Sequence, residues 1–150
     1  MRSELILKFE FEASHSLADY ETSHSHLWKL EIAVGGQVIN GKIVDMMEVR
    51  NQVEQLIEEL KATYLNENPS VGDVVRNAPT CETLGQFFSI RLRDILDTEF
   101  SKGNPSIHLI SVLVIICTVE GLEIGGVRLY LSGEGSRAGT FLKVNDSLSN

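Results

Sequence analysis

Two segments near the N-terminus alternate between apolar and polar residues, and this period of two restricts the fold more than any other feature of the sequence. In the first segment one parity carries Leu5, Leu7, Phe9, Phe11, Ala13 and His15. In the second segment one parity carries His24, His26, Trp28, Leu30, Ile32 and Val34. Because successive side chains of a strand point to opposite faces of the sheet, each segment is predicted to be a strand with one buried face.

The middle of the chain changes to the period of a helix. One apolar helical stripe follows Asp45, which stands at the N-capping position, and a second stripe follows Pro79–Thr80, a helix start signal. Residues 66–78 are predicted to be a loop. The two stripes consist of Val49, Val53, Leu56, Ile57 and Leu60, and of Leu84, Phe88, Leu92, Ile95 and Leu96.

Two more strands are predicted toward the C-terminus. Ile107 to Val119 is apolar on both parities, as expected of a strand covered on two faces, and an alternating strand from Val127 to Leu131 follows Gly125–Gly126. The order predicts an α+β domain, with two helices on one face of a four-stranded antiparallel sheet. We place this domain at residues 1–132 and expect residues 133–150, which are weakly patterned, to be a flexible tail. Four strands leave two open edges, so we also expect self-association.

Charge and composition narrow the class of function. The formal net charge of −8, without a cluster of Lys or Arg, argues against binding to nucleic acids or anionic membranes. The N-terminus lacks the unbroken apolar stretch of a signal peptide, and the longest apolar run, Val112 to Cys117, is too short to span a bilayer. Cys81 and Cys117 are expected to be reduced, so we expect a cytoplasmic protein.

Three of the four histidines fall on the apolar parity of the first two strands. If these strands pair as a hairpin, His15, His24 and His26 project from one surface of the sheet. Three neutral imidazoles are a favoured ligand set for zinc, with a fourth position open to water or substrate. The alternative is that each is an ordinary hydrogen-bonded histidine at the core or its rim, as we expect for His108, which lies outside the cluster.

Five segments, in order and spacing, resemble the family of 6-pyruvoyltetrahydropterin synthase and 6-carboxytetrahydropterin synthase. They are FEFEASHSL, SHSHLWKLEI, GKIVDMMEVRNQVEQLI, YLNENP and APTCETLGQFF, and the resemblance covers roughly residues 5–130. It implies a ββααββ tunnelling fold, in which three subunits close a twelve-stranded barrel and two trimers stack into a hexamer, with active sites between subunits. It also implies that His15, His24 and His26 are zinc ligands.

The resemblance implies further residues around a pterin pocket. Thr80 and Glu82 match a P-T-x-E segment that borders the pocket in the family. Glu120 is the best match to a glutamate that accepts hydrogen bonds from the 2-amino group and a ring nitrogen of the pterin. A carboxylate complements two such donors, whereas the alternative for Glu120 is a solvated charge at a strand end.

Two departures from the family pattern concern catalysis. The family cysteine that precedes its H-G-H motif is absent, but E-T-S-H-S-H, which begins at Glu21, resembles a branch that carries E-x-x-H-G-H. Glu21 is therefore a candidate general base, with a solvated loop glutamate as the alternative. The family's Asp-His proton relay is also absent, because the matching segment reads L-K-A-T-Y-L-N from Leu60 to Asn66.

Three functional hypotheses remain open. The first is a zinc-dependent lyase that acts on the side chain of dihydroneopterin triphosphate or a related dihydropterin, as in tetrahydrobiopterin, folate or queuosine biosynthesis. The glutamate branch favours cleavage to 6-hydroxymethyldihydropterin. The second is a zinc- and pterin-binding homologue that has lost turnover, and the third is a different reaction on a related heterocycle through zinc-bound water.

Overall fold

Four strands form one antiparallel sheet in the computed structural model, which describes residues 2–18 and 21–131. The strands are β1 (Glu4–His15), β2 (His24–Gly35), β3 (His108–Cys117) and β4 (Glu123–Tyr130), and their order in the sheet is β1-β2-β3-β4. With the helices on one face, this order confirms the predicted α+β class. The predicted tail at residues 133–150 lies outside the described residues.

The register of β1 and β2 places their two apolar parities on the same face of the sheet. Phe11 lies opposite Trp28, and His15 lies opposite His24. Buried and exposed residues alternate along β1 from Leu7 to Ala13, as the period of two predicted. The hairpin therefore places its aromatic, aliphatic and histidine side chains on one face of the sheet.

Two helices cover this face of the sheet. These are α1 (Met46–Glu58) and, after the short helix α2 (Gly72–Asn77), α3 (Cys81–Ile95). Asp45 caps α1, because its side chain accepts from the backbone N–H groups of Met47 and Glu48. The buried faces of α1 and α3 contain Val49, Val53, Leu56, Ile57, Leu84, Phe88 and Leu92. Full burial of each such large side chain contributes about 1.5–3 kcal/mol to folding.

Two local predictions differ from the structure. The predicted loop at residues 66–78 contains α2 and follows a 3-10 turn at Leu65–Glu67, because a helix of one or two turns is too short to show an apolar stripe. Gly125 and Gly126 lie inside β4 instead of before it. A Cβ on Gly126 would lie 2.6 Å from the carbonyl oxygen of Val114, so glycine is required there by close strand packing and does not end the strand.

The two faces of β3 differ in burial. Val112 and Val114 point toward the helices and are inaccessible, whereas Leu113 and Ile115 on the other face are only half-buried by the described residues of one chain. Coverage of both faces, as predicted from the sequence, is therefore incomplete within the described chain. None of the described helices is long and apolar enough to cross a membrane.

Candidate metal centre

The pairing of β1 with β2 brings three imidazole rings together at one end of the sheet. The ring centroids are 4.7 Å apart for His15 and His24, and 4.9 Å apart for each of the other two pairs with His26. One candidate ligand nitrogen from each ring lies within 4.8 Å of the other two. Ligand atoms around tetrahedral zinc are about 3.3 Å apart, so these nitrogens are at most about 1.5 Å farther apart than in a zinc site.

A backbone carbonyl orients each of the three rings. The Nδ1 atom lies 2.7 Å from the Pro79 oxygen in His15, 3.2 Å from the Thr22 oxygen in His24 and 2.9 Å from the Cys117 oxygen in His26. Since a carbonyl can only accept, each neutral ring carries its proton on Nδ1 and keeps the Nε2 lone pair free. Hydrogen bonds of this kind orient histidines that ligate metals in other proteins.

Burial favours the neutral form that a metal requires. His15 is 3% exposed, and this burial is the largest cause that lowers its pKa. The nearby rings of His26 and His24 lower the pKa of His15 further, whereas the carbonyl of Pro79 opposes the shift. Because zinc binds a deprotonated imidazole nitrogen, the donor set, the lowered pKa of His15 and the spacing of the three rings fit a zinc ion.

Trp28 forms the floor of the centre. Its ring centroid lies 5.3 Å from that of His15 and 6.0 Å from that of His26, in edge-on arrangements. The side chain is completely buried, and Nε1 donates to the carbonyl oxygen of Ala13 at 3.2 Å. His24, by contrast, is exposed, so the cluster is closed from below and open to solvent on the side of His24.

The start of α3 holds one wall of the centre. The Thr80 hydroxyl oxygen accepts from the backbone N–H of Thr83 at 3.1 Å, and the Thr83 hydroxyl oxygen accepts from the Thr80 N–H at 3.0 Å. This cap fixes the segment whose Pro79 carbonyl holds His15. Thr80 is thus adjacent to the cluster, and Glu82 is exposed in the first turn of the same helix.

Glu21 lies beside the cluster on the Nδ1 side of His24. Its Oε1 atom is 3.7 Å from the Nδ1 atom of His24, and its Oε2 atom accepts from the Leu17 N–H at 2.9 Å. The side chain of Glu21 is 36% exposed. Glu21 therefore lies next to His24, at the Nδ1 edge of the ring and not at the Nε2 edge, partly exposed and oriented by the backbone of the same loop.

Glu120 lies at the same end of the sheet but outside the cluster. It is exposed in the turn between β3 and β4, where the N–H groups of Gly121 and Leu122 bond to Thr118. The turn begins one residue after Cys117, whose carbonyl holds His26. Among the described residues, no hydrogen-bond donor contacts the Glu120 carboxylate.

The two cysteines are unpaired and buried thiols. Burial, with Glu82 as a smaller cause, raises the pKa of Cys81 to about 11, and burial also raises the pKa of Cys117. Neither is a ready thiolate, so neither replaces the missing family cysteine. The fourth histidine, His108, is exposed at the opposite end of β3, outside the cluster as predicted.

Ser16, Tyr64 and Asn66 are neighbours of the centre that sequence reasoning did not assign to it. The Asn66 side chain accepts from the Ser16 N–H at 2.9 Å and donates to the Ser16 carbonyl at 2.8 Å. The Tyr64 hydroxyl lies 2.7 Å from the Ser16 hydroxyl oxygen. These bonds hold the residue that follows His15. The resemblance of YLNENP was the one signal in the sequence that marked this segment.

Both the sequence and the fold of this chain are similar to those of known proteins. A family model described as 6-pyruvoyl tetrahydropterin synthase matches residues 4–115. The dihydroneopterin monophosphate aldolase of Pyrococcus furiosus is 26% identical over 95 residues, which cover 62% of this chain and 77% of that protein.

Two solved structures share the fold at low sequence identity. The 6-pyruvoyl tetrahydropterin synthase of Caenorhabditis elegans has a TM-score of 0.62 at 15% identity, over 88% of this chain and 97% of that chain. A catalytic-residue mutant of the Plasmodium vivax 6-pyruvoyltetrahydropterin synthase, in which alanine replaces a glutamate, has a TM-score of 0.63 at 14% identity, over 87% of this chain and 99% of that chain. At these identities the likeness shows the tunnelling fold.

Proposed function

Since this chain belongs to the 6-pyruvoyl tetrahydropterin synthase family, we propose that it is a zinc-dependent lyase that acts on the side chain of a dihydropterin. One observation carries the proposal: the rings of His15, His24 and His26 converge, with one ring nitrogen of each within 4.8 Å of the other two, and a backbone carbonyl lies at the Nδ1 atom of each ring. Three separate segments supply these carbonyls. His108, an exposed histidine outside the cluster, also has its Nδ1 atom 2.9 Å from a carbonyl oxygen, so the convergence of the three rings distinguishes them and the carbonyl contact alone does not.

His15, His24 and His26 hold the zinc ion in this proposal. When bound, zinc polarises an oxygen of the substrate side chain and makes neighbouring protons more acidic. The protein supplies a buried floor through Trp28 and an open side at His24, where a substrate can approach.

Two unpaired thiols, Cys81 and Cys117, favour a reducing compartment such as the cytoplasm.

Glu21 is the proposed general base. Its carboxylate is held at the cluster by the N–H of Leu17, and a glutamate is the residue replaced in the catalytic mutant of the Plasmodium vivax enzyme. We propose that Glu21 removes the proton of the second side-chain hydroxyl, which becomes an aldehyde as the bond between the first and second side-chain carbons breaks. The electron pair passes into the pterin ring, and a proton returns to the first carbon. The products are 6-hydroxymethyldihydropterin and an aldehyde, as the name aldolase of the Pyrococcus furiosus relative suggests.

Glu120, Thr80 and Glu82 are the proposed substrate-binding residues. Glu120 is exposed at the site end of the sheet, so its carboxylate is available to two donors of a pterin ring. Thr80 and Glu82 stand at the start of α3, next to the carbonyl that orients His15.

The open side of the cluster supports a further proposal, that the pocket is completed between subunits of a homohexamer.

A binding homologue without turnover is the second candidate. It is favoured by the segment that matches the family's Asp-His pair, which reads Lys61-Ala62 here. Ala62 adopts a φ of 60°, and its N–H bonds to the Glu12 carbonyl. The side chain of Ala62 is a methyl group, which cannot carry the proton that the family's Asp-His pair relays. If no other residue takes over that relay, zinc and pterin are bound but not processed.

Product analysis with two glutamate variants tests the proposal. Zinc-loaded protein is incubated with dihydroneopterin and its phosphate esters, and products are identified by mass spectrometry. In Glu21→Gln, which keeps the shape of the side chain but removes its basicity, turnover should fall by roughly 10²–10⁴-fold with pterin affinity little changed. In Glu120→Ala, binding should weaken by about 2–3 kcal/mol, because two ring donors lose a charged acceptor.

Glu99→Gln is the matched control, because Glu99 is exposed beyond the end of α3, away from the centre. It should behave as the wild type. Unchanged turnover in Glu21→Gln would remove the assignment of the base. A wild-type protein that binds pterin without releasing any product would favour the second candidate.

A further inference from the structure

Two side chains from the segment after α1 bond to Ser16, the residue that follows His15. The amide oxygen of Asn66 accepts from the Ser16 N–H at 2.9 Å, and the amide nitrogen of Asn66 donates to the Ser16 carbonyl at 2.8 Å. The Tyr64 hydroxyl lies 2.7 Å from the Ser16 hydroxyl oxygen. Ser16 is 7% exposed, so water competes little for these bonds. The N–H, the carbonyl and the hydroxyl of Ser16 are therefore all held by one segment of the chain.

The segment that holds Ser16 is itself attached to the edge of β1. The N–H of Ala62 donates to the Glu12 carbonyl at 2.7 Å, and the N–H of Ser14 donates to the Thr63 carbonyl at 3.0 Å. The bonds to Ser16 continue this series, because residues 12, 14 and 16 follow one another at the period of a strand. The position of Ser16 is thus fixed relative to the sheet that carries the histidines.

The two residues after Ser16 hold Glu21. The Oε2 atom of Glu21 accepts from the Leu17 N–H at 2.9 Å, and the Glu21 N–H donates to the Ala18 carbonyl at 2.9 Å. The Oε1 atom of the same carboxylate lies 3.7 Å from the Nδ1 atom of His24. A displacement of Ser16 therefore moves the N–H group that orients the Glu21 carboxylate beside the histidine cluster.

Resting on the proposed function, we infer that Asn66 and Tyr64 are positioning residues for Glu21, the proposed base, and that they act through Ser16 and Leu17. A general base must lie within hydrogen-bond reach of the proton that it removes, and a misplacement of about 1 Å can lower the rate by about 10²-fold. The segment that has lost the family's Asp-His pair thereby keeps a role in the reaction.

Asn66→Ala and Asn68→Ala separate positioning from stability. Asn68 is a buried asparagine of the same segment, 5% exposed. Its side chain forms hydrogen bonds with the Glu59 carbonyl, the Thr63 hydroxyl and the Ser70 N–H. Asn68→Ala is therefore the matched control, because it removes buried hydrogen bonds of the segment but leaves those between Asn66 and Ser16 in place.

Both variants are assayed as zinc-loaded protein, with the dihydroneopterin compound that the wild type turns over fastest. In Asn66→Ala, kcat should fall by about tenfold or more, with KM within about twofold of the wild-type value, because the proposed pterin-binding residues lie in other segments. Zinc content should not change, since the Pro79 carbonyl orients the His15 ring. In Asn68→Ala, kcat should stay within about twofold of the wild-type value. Equal losses of kcat in the two variants, or a change in KM alone, would overturn the inference.

The hydroxyl pair of Tyr64 and Ser16 is tested with a double-mutant cycle. Tyr64→Phe and Ser16→Ala each remove one hydroxyl of the same bond, so each should lower kcat by about threefold or more, and the double variant should lose no more than the larger single loss. Additive losses, or an unchanged kcat in Tyr64→Phe, would overturn the role of Tyr64.

Hydrogen exchange at the Leu17 amide tests the inference without turnover. Leu17 is 55% exposed, so protection of its N–H depends on the bond to Glu21. In the wild type and in Asn68→Ala, we expect NMR to show exchange about tenfold or more slower than in the unfolded chain, and we expect this protection to be lost in Asn66→Ala and in Glu21→Ala. Protection that persists in Asn66→Ala would overturn the inference. The expected pattern in a wild-type protein without turnover would retain the positioning of Glu21 and remove only the lyase assignment.

Discussion

At the scale of the single residue, backbone carbonyls orient the rings of the candidate metal centre. Those of Thr22, Pro79 and Cys117 come from the loop before β2, the loop before α3 and the end of β3. Each fixes the tautomer of one imidazole ring without the use of a side chain. The geometry of the centre therefore depends on the packing of three segments, and the thiol of Cys117 takes no part in it.

The thiols should be unreactive in the folded protein. A thiol with the pKa of Cys81, about 11, is almost wholly protonated near neutral pH, and both cysteines are buried. At about pH 8, we expect alkylation of the native protein by iodoacetamide to be about 100-fold slower than alkylation of the unfolded chain. Quenched labelling followed by peptide mass spectrometry measures both rates. Rapid labelling of one cysteine in the native protein would identify a thiolate and reopen the question of the missing family nucleophile.

Side-chain parity was sufficient to predict the cluster, whereas its surroundings were not predictable. His15, His24 and His26 lie on the strand faces that their alternation indicated, because the period of a strand is a local property. Asn66 bonds to Ser16 across 50 residues, and no local pattern encodes such a contact. For the same reason, the side of His24 on which Glu21 lies was visible only in the folded chain.

The end of β1 is the element that the centre most depends on. The N–H of Ala62 bonds to the Glu12 carbonyl at 2.7 Å, and the N–H of Ser14 bonds to the Thr63 carbonyl at 3.0 Å. Asn66 continues this attachment at Ser16, one residue after His15. The segment that follows α1 therefore holds the end of β1, just before the loop that carries Glu21.

Removal of the Asn66 side chain should weaken this attachment. In Asn66→Ala the buried N–H and carbonyl groups of Ser16 lose their partners, so we expect the free energy of unfolding to fall by about 1–3 kcal/mol. Urea unfolding at a fixed protein concentration measures the change. Asn51→Ala, at an exposed position of α1, should change the free energy of unfolding by less than about 0.5 kcal/mol. Equal losses in both variants would show that the two hydrogen bonds between Asn66 and Ser16 make no specific contribution to stability.

Elements with a long period were predictable, and short or unusually packed elements were not. The apolar stripes of α1 and α3 extend over several turns, and their capping residues, Asp45 and Thr80, were readable in the sequence. Helix α2 is only six residues long, so no stripe develops. Gly126 resembles a strand terminator in sequence, although the structure uses it for close approach to β3.

At the scale of the whole molecule, the two edges of the sheet differ in how far they are covered by other residues of the chain. The edge of β1 is partly occupied, because Arg50 donates to the Lys8 carbonyl at 2.9 Å and residues 62–63 bond to Glu12 and Ser14. The edge strand β4 and the turn before it carry large apolar side chains with high exposure, namely Leu122 at 71%, Ile124 at 60% and Tyr130 at 61%. Exposed apolar edges of this kind favour pairing with another chain.

Self-association through β4 follows from this difference. We expect a homo-oligomer, with a hexamer as the family fold implies, and sedimentation equilibrium at micromolar concentration measures its mass. Ile124→Lys should dissociate the assembly, because a charge on an edge strand opposes pairing. Ile90→Lys, at an exposed position of α3, should leave it intact. A stable wild-type monomer would contradict this expectation.

Zinc content tests the account of the centre most directly. Wild-type protein, His24→Ala and His108→Ala are purified in parallel, and the zinc bound to each chain is measured by mass spectrometry of the metal. His24 belongs to the cluster, whereas His108 is exposed at the other end of the sheet, where its Nδ1 atom lies 2.9 Å from the carbonyl of Ser106. We expect one zinc ion per chain in the wild type and in His108→Ala, and loss of most of the metal in His24→Ala. Equal zinc content in the two variants would contradict the assignment of the three histidines as the metal centre.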